Sequence, residues 1–246
     1  MKRPLIPPRP QLWIGADNVS LRDPQGAIHC IVFHDADALR AGVATLAAEQ
    51  SRWRAIDVVV SDAHCRYLVL PRIAGTQGRR ELADGIAARF AASFGDDAAD
   101  WLLQYDAPPF GSDDLVCGMR RSTAEAILDG LRAARRRVFR MQPLWVWCSE
   151  SALGKSRAPH WLASSDGHTL TLGLFQQRRC VGVRATRLGS AGLAAALNRE
   201  TALQAAHSAG TPVWLFGGLG APARLADGSA VIGAPLPAAL VPGGGA

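Results

Sequence analysis

The sequence predicts an α/β protein made of two similar halves, and three observations carry that reading. Short β-branched runs alternate with helical stretches along all 246 residues. The order strand, strand, strand, helix, strand occurs twice, over about residues 11–60 and again over residues 161–216. Between the halves, residues 143–158 interrupt the pattern with Pro143 and Pro159 near their ends. The duplication rests on this order of elements; no residue-level repeat accompanies it.

In the first half, Gln11–Ala16, Val19–Arg22 and Ala27–Phe33 read as strands separated by Asp17-Asn18 and by Asp23-Pro24-Gln25-Gly26. Both breaks have turn chemistry, so an antiparallel meander is expected. A helix follows over 36–52, with Leu39, Val43, Leu46 and Gln50 on one side. Ile56–Ser61 is a β-branched run suited to a buried strand, and Tyr67–Leu70 a second, ended by Pro71. The spacing of Leu82, Ile86, Phe90 and Phe94 predicts a helix over 79–94 with one apolar stripe. Trp101–Tyr105 and Leu115–Met119 read as strands. A helix from Ser122 to Arg137 follows, with Ser122 and Glu125 in capping-box spacing, then a strand over Val138–Met141.

The second half gives strands at Trp161–Ser165, Thr169–Phe175 and Cys180–Thr186, the first two joined by the hairpin signal Asp166-Gly167. A helix over 190–207 and a strand over 212–216 complete the second set. The uncharged run from Ala230 to Ala246 contains Pro235, Pro237 and Pro242 and falls short of the ~20 apolar residues of a membrane span, so it reads as a tail.

Composition narrows the function classes. The chain is 48% hydrophobic and 20% charged, enough apolar surface to exclude disorder over its whole length. A net charge of +6, carried almost wholly by arginine, favours acidic partners without indicating nucleic acid. The five cysteines include no Cys-x-x-Cys pair and mostly sit in apolar stretches, as in a reduced, cytoplasmic protein. Pro4, Pro7, Pro8 and Pro10 stand where the apolar helix of a signal peptide would begin, so no targeting segment is read there.

Several motifs invite chemistry. Ser149–Ser156 ends in Gly154-Lys155-Ser156 like a P-loop, but its opening glycine is Ser149, and Leu144–Cys148 must then be the preceding strand. A lobe-linking segment is the plainer reading. Gly217-Gly218-Leu219-Gly220 follows the strand at 212–216 and permits close backbone approach to a ligand or a neighbouring strand. His29/Cys30 and His64/Cys65 are the adjacent ligand pairs, yet neighbours on a strand point to opposite faces and no tetrahedral spacing exists. No Gly-x-Ser-x-Gly elbow is present. Arg132, Arg135, Arg136, Arg137 and Arg140 form the densest basic patch, and a helix C-terminus accounts for them. An acidic partner or lipid headgroup is the functional alternative.

Taken in order, Asp57–Asp62, Arg66–Pro71, an Ala-rich helix ending Phe94-Gly95, Trp101 with Gln104-Tyr105-Asp106, Leu115–Gly118 and the return through Met141-Gln142-Pro143 resemble one family. It is the actin-like platform proteins of type IV pilus and type II secretion machines, of PilM or GspL cytoplasmic type. Trp161–Arg187 resembles their second-lobe hairpin, and 212–221 the adenosine motif of the actin/hexokinase superfamily. The resemblance implies a two-lobed, duplicated ribonuclease-H-like fold in degenerate form. Its lobes would be residues 1–143, with an insertion at about 64–110, and residues 159–246, joined by a linker or helix over 144–158.

By the same resemblance, Asp17, Gly217, Gly218 and Gly220 would hold ATP with magnesium if any nucleotide binds. Both phosphate loops depart from the family pattern: Asp17-Asn18-Val19-Ser20 lacks its glycine, and Asp166-Gly167 is a tight turn. Weak or absent ATP binding and no hydrolysis are therefore expected. The resemblance implies a non-catalytic adaptor at the cytoplasmic face of a bacterial inner membrane. Its partners would be the cytoplasmic tail of a bitopic membrane protein and a secretion ATPase, without nucleic acid or metal. Tail contacts are expected at Arg66, Tyr67, Leu68, Leu82, Ile86 and Phe90. The alternative is an actin/hexokinase-superfamily ATPase or phosphotransferase using Asp17.

Overall fold

The computed structural model describes residues 9–22, 27–50, 55–71, 73, 75, 78–106, 114–152, 157–203, 210–217 and 222–234. Strands β1 (Gln11–Ile14), β2 (Asn18–Arg22), β3 (Ile28–Val32), β4 (Ile56–Val60) and β8 (Val138–Pro143) form a sheet in the order β3-β2-β1-β4-β8. Strands β9 (His160–Ser165), β10 (Thr169–Gln176), β11 (Arg179–Arg187), β12 (Val213–Phe216) and β13 (Val231–Ala234) form a second sheet in the order β11-β10-β9-β12-β13. The two orders superpose element for element. In each sheet an antiparallel meander of three strands continues into two parallel strands. The duplication read from the sequence is thus a duplication of topology, and the chain has a two-lobed, actin-like α/β fold.

Local chemistry explains most boundaries. Helix α1 (Ala36–Ala48) starts where the Asp35 carboxylate accepts from the Ala38 amide at 2.7 Å, a side-chain N-cap. Its buried Leu39, Val43 and Leu46 are the expected stripe, and the helix ends at Ala48 rather than Arg52. Helix α2 (Arg79–Phe94) ends on Gly95 at φ 71°, a left-handed cap that suits glycine. Strand β5 (Cys65–Leu70), β6 (Trp101–Tyr105) and β7 (Asp114–Arg120) make a small antiparallel sheet in the order β5-β7-β6, inserted between β4 and β8. This insertion runs to Arg120, beyond the expected limit near 110.

Several sequence expectations are corrected. Helix α3 (Arg121–Ala133) begins before Ser122 with Arg120 at its N-cap and no side-chain capping bond, so Ser122 and Glu125 do not form a capping box. The helix also ends at Ala133, with Arg132 in its last turn and Arg135 beyond it, left-handed at φ 55°. Leu144–Cys148 belongs to helix α4 (Leu144–Ala152), not to a strand, which removes the strand a P-loop needs. Gly154, Lys155 and Ser156 lie outside the described residues. The expected tail begins as strand β13, paired in parallel with β12. Helix α5 (Gly192–Ala202) is shorter than the 190–207 expected, with residues 204–209 outside the described set.

The main core gathers α1, α3 and the first sheet around Trp13 and Val43, and crosses into the second lobe through Leu162, Phe175 and Phe216. An aromatic ladder spans the junction. Tyr67 meets Trp145 at 5.5 Å, Trp145 meets Phe175 at 5.7 Å, and His160 stands between Phe175 at 5.4 Å and Trp214 at 4.7 Å. Gly173 on β10 makes room for it: a Cβ there would lie 2.2 Å from Trp145 Cζ2.

Candidate functional site

The molecule has a cleft where the lobes meet and a groove within the first lobe. The cleft is bounded by the β1–β2 turn, the end of β4 and the β9–β10 turn. Strand β4 ends in Ser61-Asp62, and a single 3₁₀ turn, Asp62–His64, leads into β5. Asp62 is buried and accepts three hydrogen bonds: from Tyr67 Oη at 2.5 Å, from the Trp145 amide at 3.2 Å and from Ser164 Oγ at 2.9 Å. Beside it, Ser61 Oγ donates to Asp166 Oδ2 of the other lobe. Two serine–aspartate pairs therefore tie the lobes together in opposite senses.

The electrostatics follow from burial. Desolvation pushes the Asp62 carboxyl up to about 6, opposed by the Tyr67 hydrogen bond and reinforced by the nearby Asp166 charge. Burial likewise pushes up the Cys148 thiol, with the Asp62 charge adding to it. It pushes the His64 imidazole down, against a 2.8 Å contact between His64 Nε2 and the Gly15 carbonyl.

The turns bordering the cleft bond their own backbone donors. Asp166 Oδ1 accepts from the amides of His168 at 2.9 Å and Thr169 at 2.7 Å, while the Gly167 amide donates to Ser165 Oγ at 3.3 Å. These are the backbone donors that a phosphate-wrapping loop would keep free. In the β1–β2 turn the Gly15 amide is bonded to the Asn18 carbonyl at 2.7 Å. Asp17 is exposed, and its carboxylate accepts from Asn18 Nδ2 at 3.1 Å rather than joining Asp62 and Asp166. Gly217 holds φ 82°, a glycine conformation, whereas Gly218 and Gly220 lie outside the described residues. Among the described residues no cluster of three metal-ligating side chains occurs.

The groove, about 490 Å³, lies between the small sheet and the β8–α4 corner. Leu102, Leu115, Cys117 and Met119 form one wall; Met141, Pro143 and Val146 form the other. Arg140 and Glu150, ion-paired to each other, stand at its rim. Strand β6 beside it pairs only with β7 among the described residues, leaving one backbone edge open. Gln142 is buried, and its Oε1 accepts from Arg140 Nη1 at 3.3 Å. Its Nε2 has no hydrogen-bond partner among the described residues. A buried donor left unmade is costly, so this amide is an energetic cost carried beneath the β8 wall.

The residues expected to contact a partner are placed elsewhere. Ile86 and Phe90 are buried beneath the opposite face of the small sheet, with Leu82 packed against them, so the apolar stripe of α2 is spent on that core. Tyr67 is committed to Asp62, while Arg66 and Leu68 lie on β5, whose outer side runs beside β11 of the second lobe. Of the basic patch, Arg136 caps the end of α1 through the carbonyls of Ala47 at 2.9 Å, Ala48 at 3.0 Å and Gln50. Arg132 pairs with Asp129. Arg140 alone of the five reaches the groove. Asp62, Ser61, Ser164 and Gln142 were absent from the sequence-derived set. A Ser-Asp closing a β-branched run was the one available signal, for the first two.

The class is the actin-like fold, and similar solved structures make the comparison specific. The chain is similar to the cytoplasmic domain of EpsL, an inner-membrane component of the type II secretion system of Vibrio cholerae. The identity is 16% and the TM-score 0.60, covering 94% of this chain and 91% of that one. It is also similar to a chain of the PilM–PilN type IV pilus biogenesis complex, at 14% identity and TM-score 0.66, covering 97% and 90%. A Bacteroides thetaiotaomicron protein of actin-like ATPase fold and unknown function follows at 12% identity and TM-score 0.55, covering 86% and 83%. No family model and no curated protein sequence matches. At these identities the likeness establishes the fold.

Proposed function

We propose that the protein is a non-catalytic adaptor at the cytoplasmic face of an inner-membrane assembly platform serving a type IV pilus or type II secretion machine. The observation that carries the reading is the first-lobe groove. It combines apolar walls with the open edge of β6, which together suit an extended, largely apolar peptide. Main-chain groups of such a peptide would pair with β6, while its side chains fill the walls. The cytoplasmic tail of a bitopic membrane protein is the occupant of this chemistry. The likeness to the EpsL domain and to the PilM–PilN complex supports it. The bonded turns of the cleft support the absence of nucleotide turnover. No helix among the described residues is long and apolar enough to cross a membrane.

A photo-reactive residue at Gln104, exposed on β6, tests the groove in cells. The expected adduct is a single-span inner-membrane protein joined through the segment that precedes its span, and Leu102→Arg removes it. A probe at the exposed Arg89 of α2 yields no such adduct. Equal capture from Arg89, or no membrane-protein adduct from Gln104, overturns the proposal.

A further inference from the structure

Strand β3 closes one side of the first sheet, and among the described residues nothing pairs with its outer edge. Its backbone polarity follows from its pairing with β2. The Phe33 amide donates to the Asp17 carbonyl at 2.8 Å, and Val19 and Leu21 stand opposite Ile31 and His29. In an antiparallel ladder the bonded and non-bonded pairs alternate. Residues 29, 31 and 33 therefore face β2, and Ile28, Cys30 and Val32 turn their N–H and C=O groups outward. The side chains of these same three residues share the sheet face opposite α1, because Ile31 points to α1 at Gly42. Ile28 is 46% exposed and Val32 61%, and Cys30 is exposed with them.

Natural sheet edges are usually guarded by a lysine, a proline, a bulge or an inward charge. Residues Ile28–Val32 carry no lysine, proline or bulge, His29 turns to Glu49 at the end of α1, and the β2–β3 register runs without a shift. The charges flanking the strand are polarised. Arg22 sits opposite Ile28 at one end, while Asp17 and the capping Asp35 lie beside Val32 at the other. Such an edge complements itself when inverted.

We propose that β3 is a self-association edge, pairing antiparallel with β3 of a second copy about a two-fold axis at Cys30. In that register Ile28 faces Val32 of the partner subunit, Cys30 faces Cys30 of the partner subunit, and every outward N–H and C=O of the three residues finds a mate. The basic end of each strand meets the acidic end of the other, which fixes the antiparallel sense. Ile28 and Val32 make one apolar strip across the two copies. A five-residue edge buries far less than the ~800 Å² per partner of a standard interface, so the pair is weak and forms at high local concentration.

Analytical ultracentrifugation over a concentration series reaching the high-micromolar range tests this, together with cross-linking by a short bis-maleimide. The parent chain is expected to move from monomer toward dimer and to cross-link through Cys30. Val32→Lys changes an exposed side chain, keeps the fold and weakens association by roughly tenfold or more, because it places a charge against Ile28. Cys30→Ser removes the cross-link and leaves the sedimentation unchanged. In the dimer the amides of Ile28, Cys30 and Val32 gain protection from hydrogen exchange. A parent chain that stays monomeric throughout overturns the proposal. So does association that Val32→Lys leaves intact, which would assign it to another face or another partner strand.

Discussion

Replacing Asp62 by asparagine turns the buried carboxylate of the cleft into a neutral isostere without stripping its contacts. Asn Oδ1 can keep the Tyr67 hydroxyl and the Trp145 amide, and Asn Nδ2 can donate to Ser164 Oγ once that hydroxyl rotates. The folded chain holds the Asp62 proton up to about pH 6, against 3.8 for an unburdened aspartate. A carboxyl raised in the folded state contributes stability that is complete below the unfolded value and is lost as pH climbs through the folded one. The loss accrues between about pH 4 and pH 7 and amounts to about 3 kcal/mol, from ~1.4 kcal/mol per tenfold change in proton affinity. Asp62→Asn should track the parent near pH 4 and exceed it progressively above that, reaching a melting temperature higher by about 6–12 °C near neutrality for a chain of this length. The shifts at Asp57, His64 and Asp227 are present in both proteins, so the difference isolates Asp62. Calorimetric scans from pH 4 to 7.5 check it. A variant that melts below the parent at pH 7.5, or a difference that does not change with pH, refutes the account of the cleft as a desolvated charge held between the lobes.

Two further outcomes follow from the same junction. Gly173→Ala would drive a Cβ to 2.2 Å from a fully buried indole, so it should cost about 3 kcal/mol or more in a denaturant titration, whereas Gly189→Ala, which meets nothing within 4 Å, should be nearly neutral. Millimolar Mg-ATP should leave the unfolding midpoint unchanged; a ligand at 100 times its dissociation constant would add ~2.7 kcal/mol, and a rise of several degrees would show that the bonded turns still admit phosphates.

The duplicated topology was legible because its signals are local. β-branched runs, an Asp-Gly turn and a four-residue apolar stripe each speak for their own segment, and their order repeats. At α4 the same logic leaves both readings open. Leu144–Cys148 is a short apolar run, which periodicity cannot divide between a strand and a helix buried on more than one side. Its burial arises because Trp145 packs between Tyr67 and Phe175, contacts that no local pattern encodes. The arginine run misled in a related way. Arg136 does neutralise a helix C-terminus, but it is that of α1, reached across the fold, and not that of the helix preceding it in sequence. The apolar stripe of α2 was read correctly as a stripe and assigned to a partner, when the small sheet itself is what covers it. For the site the obstacle was distance along the chain. Asp62 shows only as the polar end of a strand until Trp145 and Ser164 arrive from far downstream. Gln142 is conspicuous only because its donor goes unanswered, and a sequence does not display an unmade bond.

Helix α4 joins the two places where the molecule can act. Its first turn supplies the Trp145 amide to Asp62 and the Trp145 indole N–H to the Leu162 carbonyl at 3.0 Å, so it is pinned to the cleft on both sides. One residue later, and again a turn further on, Val146 and Glu150 face the groove, with Glu150 holding Arg140 at its rim. A helix moves as a rigid piece over so short a span. Any displacement that opened the lobes by breaking the Asp62 bonds would carry Val146 and Glu150 with it and reshape the groove wall. The buried serine–aspartate pairs therefore hold the groove's geometry as well as the cleft's. The chain's own carboxylates thus set where α4 sits, and with it the wall that Val146 and Glu150 present to the groove.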